Sequence, residues 1–209
     1  MKNLIIIGAR GFGREMYTLA VSCKEYGNEW TVKGYLDDNK NALDAYSNYP
    51  PIISSVEDYV PQADDVFISG LGGVAHKEKY VSMILEKGGE FINLIHPTVI
   101  IHHNVKFGKG ITMNAYSAVG NDAKIGDFVT IQGYVIMGHD VQVGDWSHFT
   151  ALSFLGGFTK VGTRVTVNMG CTIIDRRTIG DNAVIGAGSV VIRNVKPGVT
   201  VFGNPAREI

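Results

Sequence analysis

Cysteine is nearly missing. Among 209 residues only Cys23 and Cys171 carry thiols, one in each half of the chain. No metal or redox spacing is available to them, so each reads as a small buried hydrophobe in a reducing cytoplasm. Net charge is scarce as well. Nineteen Lys and Arg stand against twenty Asp and Glu, a balance of −1. The electrostatic footprint of a nucleic-acid binder is therefore absent. Long apolar runs are also lacking, and none approaches membrane-spanning length. The opening Met1–Gly8 holds one lysine and a short apolar stretch that breaks at glycine. A buried strand explains it better than a signal peptide.

What the chain has is a period of six. An apolar residue opens every hexad from Phe107 through Met113, Val119, Ile125, Ile131 and onward to Val191, fifteen hexads in one register. The second place is often glycine, as at 108, 120, 126, 138, 144, 156, 162, 180 and 186. The fifth is small or β-branched, as at Ala123, Val129, Val141, Ser153, Val165 and Ala183. Such a repeat announces a solenoid. Each hexad makes a short strand and a corner. The opening apolar residue points inward, the fifth faces the same crowded axis, and glycine lets the backbone turn where a Cβ would clash. Stacked coils cover one another's exposed faces in a quasi-one-dimensional array. The pattern predicts a parallel β-solenoid; period alone does not give its hand.

The first 92 residues read differently. Strands are expected at Leu4–Ile7, Val32–Leu36, Val66–Ser69 and Phe91–Leu94, and helices from Arg14 to about Tyr26 and from about Ala75 to Lys87. This βαβ order implies a small Rossmann-like parallel sheet with helices on it. Residues 41–61, rich in Tyr, Pro, Ser and Asn, give no clear element. The boundary is set at 92/93, with a tail after Pro197–Gly198. Gly8, Gly11 and Gly13 form a G-x-x-G-x-G turn, which differs from the dinucleotide fingerprint. It suits either an anion at a helix N-terminus or a tight turn alone. Asp37 and Asp38 follow the second strand, where an acid can hold a ribose hydroxyl.

Met137-Gly138-His139-Asp140 puts an imidazole beside a carboxylate, and His148 follows nine residues later. Histidine is the natural general base near neutral pH. On a straight strand the pair would face opposite ways, so it can cooperate only at a corner. A shared metal is not expected. His103 and His139 lie two coils apart, about 9–10 Å at sheet spacing, too far for one ion.

The residues G-A-R-G-F-G-R-E (8–15), G-Y-L-D-D (34–38), I-H-P (95–97), G-H-D-V-Q-V-G-D-W-S-H (138–148) and G-N-P-A-R (203–207) carry a resemblance. With the hexads, the whole chain resembles hexapeptide-repeat sugar acyltransferases: the sialic acid O-acetyltransferase type and the amino-sugar nucleotide N-acetyltransferases of bacillosamine and perosamine pathways. The resemblance implies a left-handed β-helix with three hexads per coil, a cytoplasmic homotrimer with sites between adjacent solenoids, and acetyl-CoA as co-substrate without metal. It implies that His139 is the base and that Asp140 strengthens it. His148 would contact the acetyl group, and Gly157, Met169 and Ala187 would line the CoA channel. Arg10, Gly11, Phe12, Asp37, Asp38 and Leu71 would hold a sugar nucleotide, with no nucleic-acid or membrane partner. Phe12 stands where members often have His, and no arginine occupies the place of His76.

The expected reaction is acetyl transfer to the amine of a nucleotide-linked amino sugar. His139 takes the proton, and the Gly157 N–H with His148 stabilises the oxyanion. Neither cysteine falls beside the histidine in the register, so no acyl-enzyme is expected. O-acetylation of a sugar such as sialic acid would use the same base. A serine acetyltransferase is disfavoured by the N-terminal sheet, and a non-catalytic scaffold by the His–acid pair.

Overall fold

A computed structural model describes residues 1–209. The chain divides into two compact units, Met1–Pro97 and Thr98–Ile209. No helix is long and apolar enough to cross a membrane.

In the first unit, β1 (Lys2–Ile7), β2 (Trp30–Leu36), β3 (Ile52–Ser54), β4 (Asp65–Ser69) and β5 (Glu90–Phe91) form one sheet in the order β3-β2-β1-β4-β5. All its pairings are parallel. Leu4, Ile5, Ile6 and Ile7 are fully buried, as a central parallel strand covered on both faces requires. Helix α1 (Gly11–Ser22) buries Gly13, Met16, Leu19 and Ala20 at helical spacing. Helix α2 (Val74–Glu86) buries Lys77, Val81 and Ile84. A two-residue strand, β6 (Leu94–Ile95), ends the unit.

Four details depart from the sequence reading. α1 begins three residues early because the turn after β1 is very tight. Gly8 takes φ +95°, and Gly13 packs so closely on the Gly8 carbonyl that no Cβ would fit. α1 also ends at Ser22 rather than near Tyr26, since Cys23 leaves the helix with ψ 148°. The unassigned middle stretch supplies an edge strand, β3, which pairs with β2. The strand expected over Phe91–Leu94 is two short pieces, β5 and β6.

The second unit is a parallel solenoid of two-residue strands on three faces. Face one stacks Ile100–Ile101, Ala118–Val119, Ile136–Met137, Phe154–Leu155, Thr172–Ile173 and Val190–Val191. Face two stacks Lys106–Phe107, Lys124–Ile125, Gln142–Val143, Lys160–Val161 and Thr178–Ile179. Face three stacks Thr112–Met113, Thr130–Ile131, His148–Phe149, Thr166–Val167 and Val184–Ile185, then Thr200–Gly203. That last strand turns back on Ala206–Glu208 as an antiparallel hairpin, so the tail is structured. Partners are 18 residues apart, as in Ala118 with Ile136 and Val119 with Met137, until the last coil, where Val184 pairs with Thr200. Opening residues such as Val119, Ile131, Phe149 and Val167 are buried, and so are Ala123, Val129, Val141, Ser153, Val165 and Ala183 at the fifth place.

The corners correct the role assigned to glycine. The left-handed residue is the fourth of each hexad, from Gly110 to Gly188, whatever its side chain: Tyr116, Asp122, Phe128, Trp146, Leu152 and Arg164 all take it. Its N–H donates to the third-place carbonyl one coil earlier, as Asp122 does to His103 and Phe128 to Lys109. Each such residue other than glycine costs about 1–2 kcal/mol. Burying the hexad's large apolar residue returns about 1.5–3 kcal/mol, so the corners are tolerated. Second-place glycines do not turn the chain; they let the next coil lie against it. A Cβ on Gly144 would stand 2.7 Å from the Gly162 carbonyl carbon.

Candidate active site

His139 and Asp140 are the third and fourth residues of the hexad opened by Met137, so they stand on corner one, which follows face one. Asp140 takes φ +58°. The pair converges, with His139 Nδ1 2.8 Å from Asp140 Oδ2. With Nδ1–H donating to the carboxylate, Nε2 keeps its lone pair. Side-chain exposures of 58% and 40% leave both groups open to an incoming molecule.

Other acids on the corners have a different task. Asp127 Oδ1 accepts the Lys109 N–H at 2.9 Å, and Asp145 Oδ1 accepts that of Asp127 at 2.8 Å. Asp181 Oδ1 accepts the Thr163 N–H at 2.8 Å. All three sit at the third place and clip one coil to the next. Asp140, at the fourth, serves the histidine instead.

Gly157 lies one coil beyond His139. A Cβ there would stand 2.7 Å from His139 Nε2, so the imidazole rests over a bare backbone. By the pattern above, the Gly157 N–H should be clipped by the third-place acid of the next coil, Asp175. That carboxylate turns instead toward Arg176, at 3.6 Å. The Gly157 N–H is left without a partner in the chain, a donor ready for developing negative charge. Phe158 adds a wall: its ring meets His139 edge-on, centroids 5.0 Å apart at 89°.

The remaining residues expected around CoA are not at this corner. His148 is 2% exposed on face three, its Nε2 3.3 Å from Gln132 Nε2. Met169 and Ala187 are exposed on corner three, which follows face three, and the Gly188 N–H donates to the Met169 carbonyl. Within one chain, the structure joins His139, Asp140 and Gly157, and sets His148, Met169 and Ala187 on another face and corner. Cys23 and Cys171 are free and buried. Burial raises both thiols, Cys23 to about 11.

The first unit has its own crevice. The strand order turns at β1, and a cavity of about 440 Å³ lies outside the carboxyl ends of β1, β2 and β4, where such sheets bind ligands. Arg10, Phe12, Asp37, Asp38 and Leu71 line it, together with Asn39, His76 and Tyr80. Gly11 opens α1 with free space where a side chain would be. Gly8, Gly13 and Gly70 pack backbone on backbone; a Cβ on Gly70 would lie 2.6 Å from Gly13 Cα. α1 and α2 both start at this rim with no side-chain cap and no acid in the first turn. Their open N–H groups suit an anion. Asp37 braces the loop by accepting the N–H groups of Ala9 at 2.8 Å and Asn39 at 2.9 Å. Asp38 accepts the Tyr80 hydroxyl at 2.8 Å, which raises that phenol's pKa. Cationic and N–H groups on one side and carboxylates on the other fit a phosphorylated, hydroxyl-bearing ligand.

Sequence reasoning missed Phe158 and Tyr80, and named His76 only for the arginine it replaces. For Phe158 a signal existed: it stands 18 residues after Asp140, one coil along the same corner.

Comparison with known proteins agrees with both units. Residues 3–84 match the PglD N-terminal domain, and 158–193 match the bacterial transferase hexapeptide repeats. Galactoside O-acetyltransferase of Escherichia coli is 42% identical over 55 residues, which is 26% of this chain and 24% of that enzyme. The match thus spans about a quarter of that relative's length. Perosamine N-acetyltransferase of Caulobacter crescentus, solved as a variant with CoA and GDP-perosamine, aligns with a TM-score of 0.88 at 25% identity, covering 100% of this chain and 97% of that one. The acetyltransferase domain of PglB from Neisseria gonorrhoeae aligns at 0.90 and 23% identity over 100% of both chains, a likeness of fold.

Proposed function

From a chain that joins a PglD-type N-terminal domain to a hexapeptide-repeat solenoid of the bacterial transferases, we propose an acetyl-CoA-dependent N-acetyltransferase. Its acceptor is the amine of a nucleotide-linked amino sugar, made for surface glycan in the cytoplasm. The observation that carries the reading is His139, paired with Asp140 and lying over the unpartnered Gly157 N–H.

The neutral amine attacks the thioester carbonyl, and His139 Nε2 takes the proton the nitrogen loses. The Gly157 N–H holds the oxyanion. As the tetrahedral intermediate collapses, the C–S bond breaks and the imidazolium returns the proton to the leaving thiolate. Asp140 holds the tautomer and stabilises the imidazolium. The first-unit crevice holds the diphosphate at its two helix N-termini and sugar or ribose hydroxyls at Asp37 and Asp38.

The scheme calls for assembly as a homotrimer. Corner one of one protomer would face corner three of the next, bringing Met169 and Ala187 to the CoA and His148 toward the acetyl group.

The test is thiol release from acetyl-CoA with a panel of UDP-, GDP- and dTDP-linked 4-amino sugars, beside hydroxyl acceptors including sialic acid and galactosides. Turnover with an amino sugar is expected; turnover with hydroxyl acceptors alone would replace this reading with O-acetylation. His139→Ala should lower kcat by about 10²–10⁴-fold with CoA affinity near wild type. Unchanged turnover removes His139 as the base.

A further inference from the structure

Asp140 fixes one side of the His139 ring and nothing else bonds it. A side chain 58% exposed and tied by one hydrogen bond can swing about that bond. Phe158 stands where it blocks this motion. Its ring meets the imidazole edge-on at 5.0 Å, and its N–H donates to the His139 carbonyl at 3.0 Å. The corner sets its φ at +58°, as at every fourth place, and leaves 41% of its surface exposed. Aromatic rings at other corners stack on each other instead. Phe128 lies flat on Trp146, centroids 4.3 Å apart at 15°, and Tyr116 on Tyr134 at 5.2 Å and 25°. Phe158 has no aromatic partner on its far side. The Arg176 guanidinium covers that face, 4.6 Å from the ring centroid, and the Arg176 N–H donates to the Gly157 carbonyl at 2.9 Å. Three consecutive coils therefore stack cation, ring and imidazole.

We propose that Phe158, backed by Arg176, is a positioning residue that keeps His139 Nε2 over Gly157 in the orientation the amine must meet. This rests on reading His139 as the base. Phe158 itself transfers no proton. Its effect comes through geometry, and displacement by about 1 Å can cost on the order of 10²-fold in rate.

The experiment measures steady-state kinetics of Phe158→Ala, Phe158→Tyr and Arg176→Gln against wild type and His139→Ala, with Tm for each. The substrates are acetyl-CoA and whichever acceptor of the panel above turns over. Phe158→Ala should lower kcat by about 10–10²-fold, with KM for acetyl-CoA within about twofold and Tm little changed. Phe158→Tyr keeps the ring and should restore kcat to within about threefold. Arg176→Gln should fall between them. Wild-type kcat in Phe158→Ala overturns the proposal, as does a change confined to KM or a loss that the tyrosine does not rescue. If His139→Ala retains turnover, the reading of the base fails instead, and the two failures are distinguishable.

Discussion

A single missing Cβ decides whether the imidazole can lie where it does. Gly157 has an ordinary backbone conformation, so alanine brings no strain of its own. Its methyl would stand 2.7 Å from His139 Nε2 and 2.8 Å from Cε1, with the coil-to-coil contacts elsewhere untouched. Gly157→Ala should therefore lower kcat by about 10–10²-fold while Tm stays close to wild type, as kinetics and thermal melting would show. The sequence revealed much at this scale. A His-Asp pair at places three and four of a hexad is visible because every neighbouring hexad states what belongs there. The register puts Phe158 one coil beyond Asp140 but does not say what its ring faces. Phe128 and Trp146 occupy the same place in other hexads, and only coordinates show that their rings stack on each other while Phe158 faces a histidine.

Along individual elements, glycine acts in the opposite sense. Gly144 belongs to the corner after face two, not to the corner that holds His139, and an added methyl would meet the Gly162 carbonyl and the Thr163 nitrogen at 2.7–2.8 Å. Backbone cannot step aside cheaply. Gly144→Ala should cost about 1–3 kcal/mol, read as a lower Tm, with kcat at permissive temperature near wild type. Helix α2 carries a second test. Burial pushes the Lys77 ammonium from 10.5 down to about 7. The unfolded chain keeps its proton up to about 10.5, so between pH 7 and 10.5 it binds more protons than the folded chain. Lys77 thus makes stability climb with pH in that window; below 7 its penalty is complete and constant. Lys77→Met should raise Tm at pH 7 and flatten the climb, measured as the difference from wild type across pH 7–10. Long, strongly patterned elements were legible in the sequence, and short ones were not. β3 has three residues behind Pro50-Pro51, too few for any period to register. The left-handed fourth place was equally hidden, because the corner fixes its backbone and leaves its side chain free to vary.

For the whole molecule, surface chemistry differs by face. Face two displays Lys106, Lys124 and Lys160. Face one displays exposed Ile100, Ile136 and Phe154, continuous along the chain with Tyr116, Tyr134 and Leu152 on corner three. An apolar band of this kind marks a contact surface, and the proposed trimer would cover it. Ile136→Glu should yield monomers of native secondary structure that no longer bind acetyl-CoA, checked by light scattering, circular dichroism and calorimetry. Trimers that bind normally would exclude face one from the assembly.

The 18-residue rung spacing also governs how this protein can change size. Excising one entire rung leaves every column aligned, so His139 still finds a bare backbone at the level above if the cut lies elsewhere. Excising six residues rotates everything beyond the cut by a third of a revolution and carries Met169 and Ala187 to the wrong edge. The height of the prism is quantised, and viable insertions or deletions in it come only in multiples of a complete revolution.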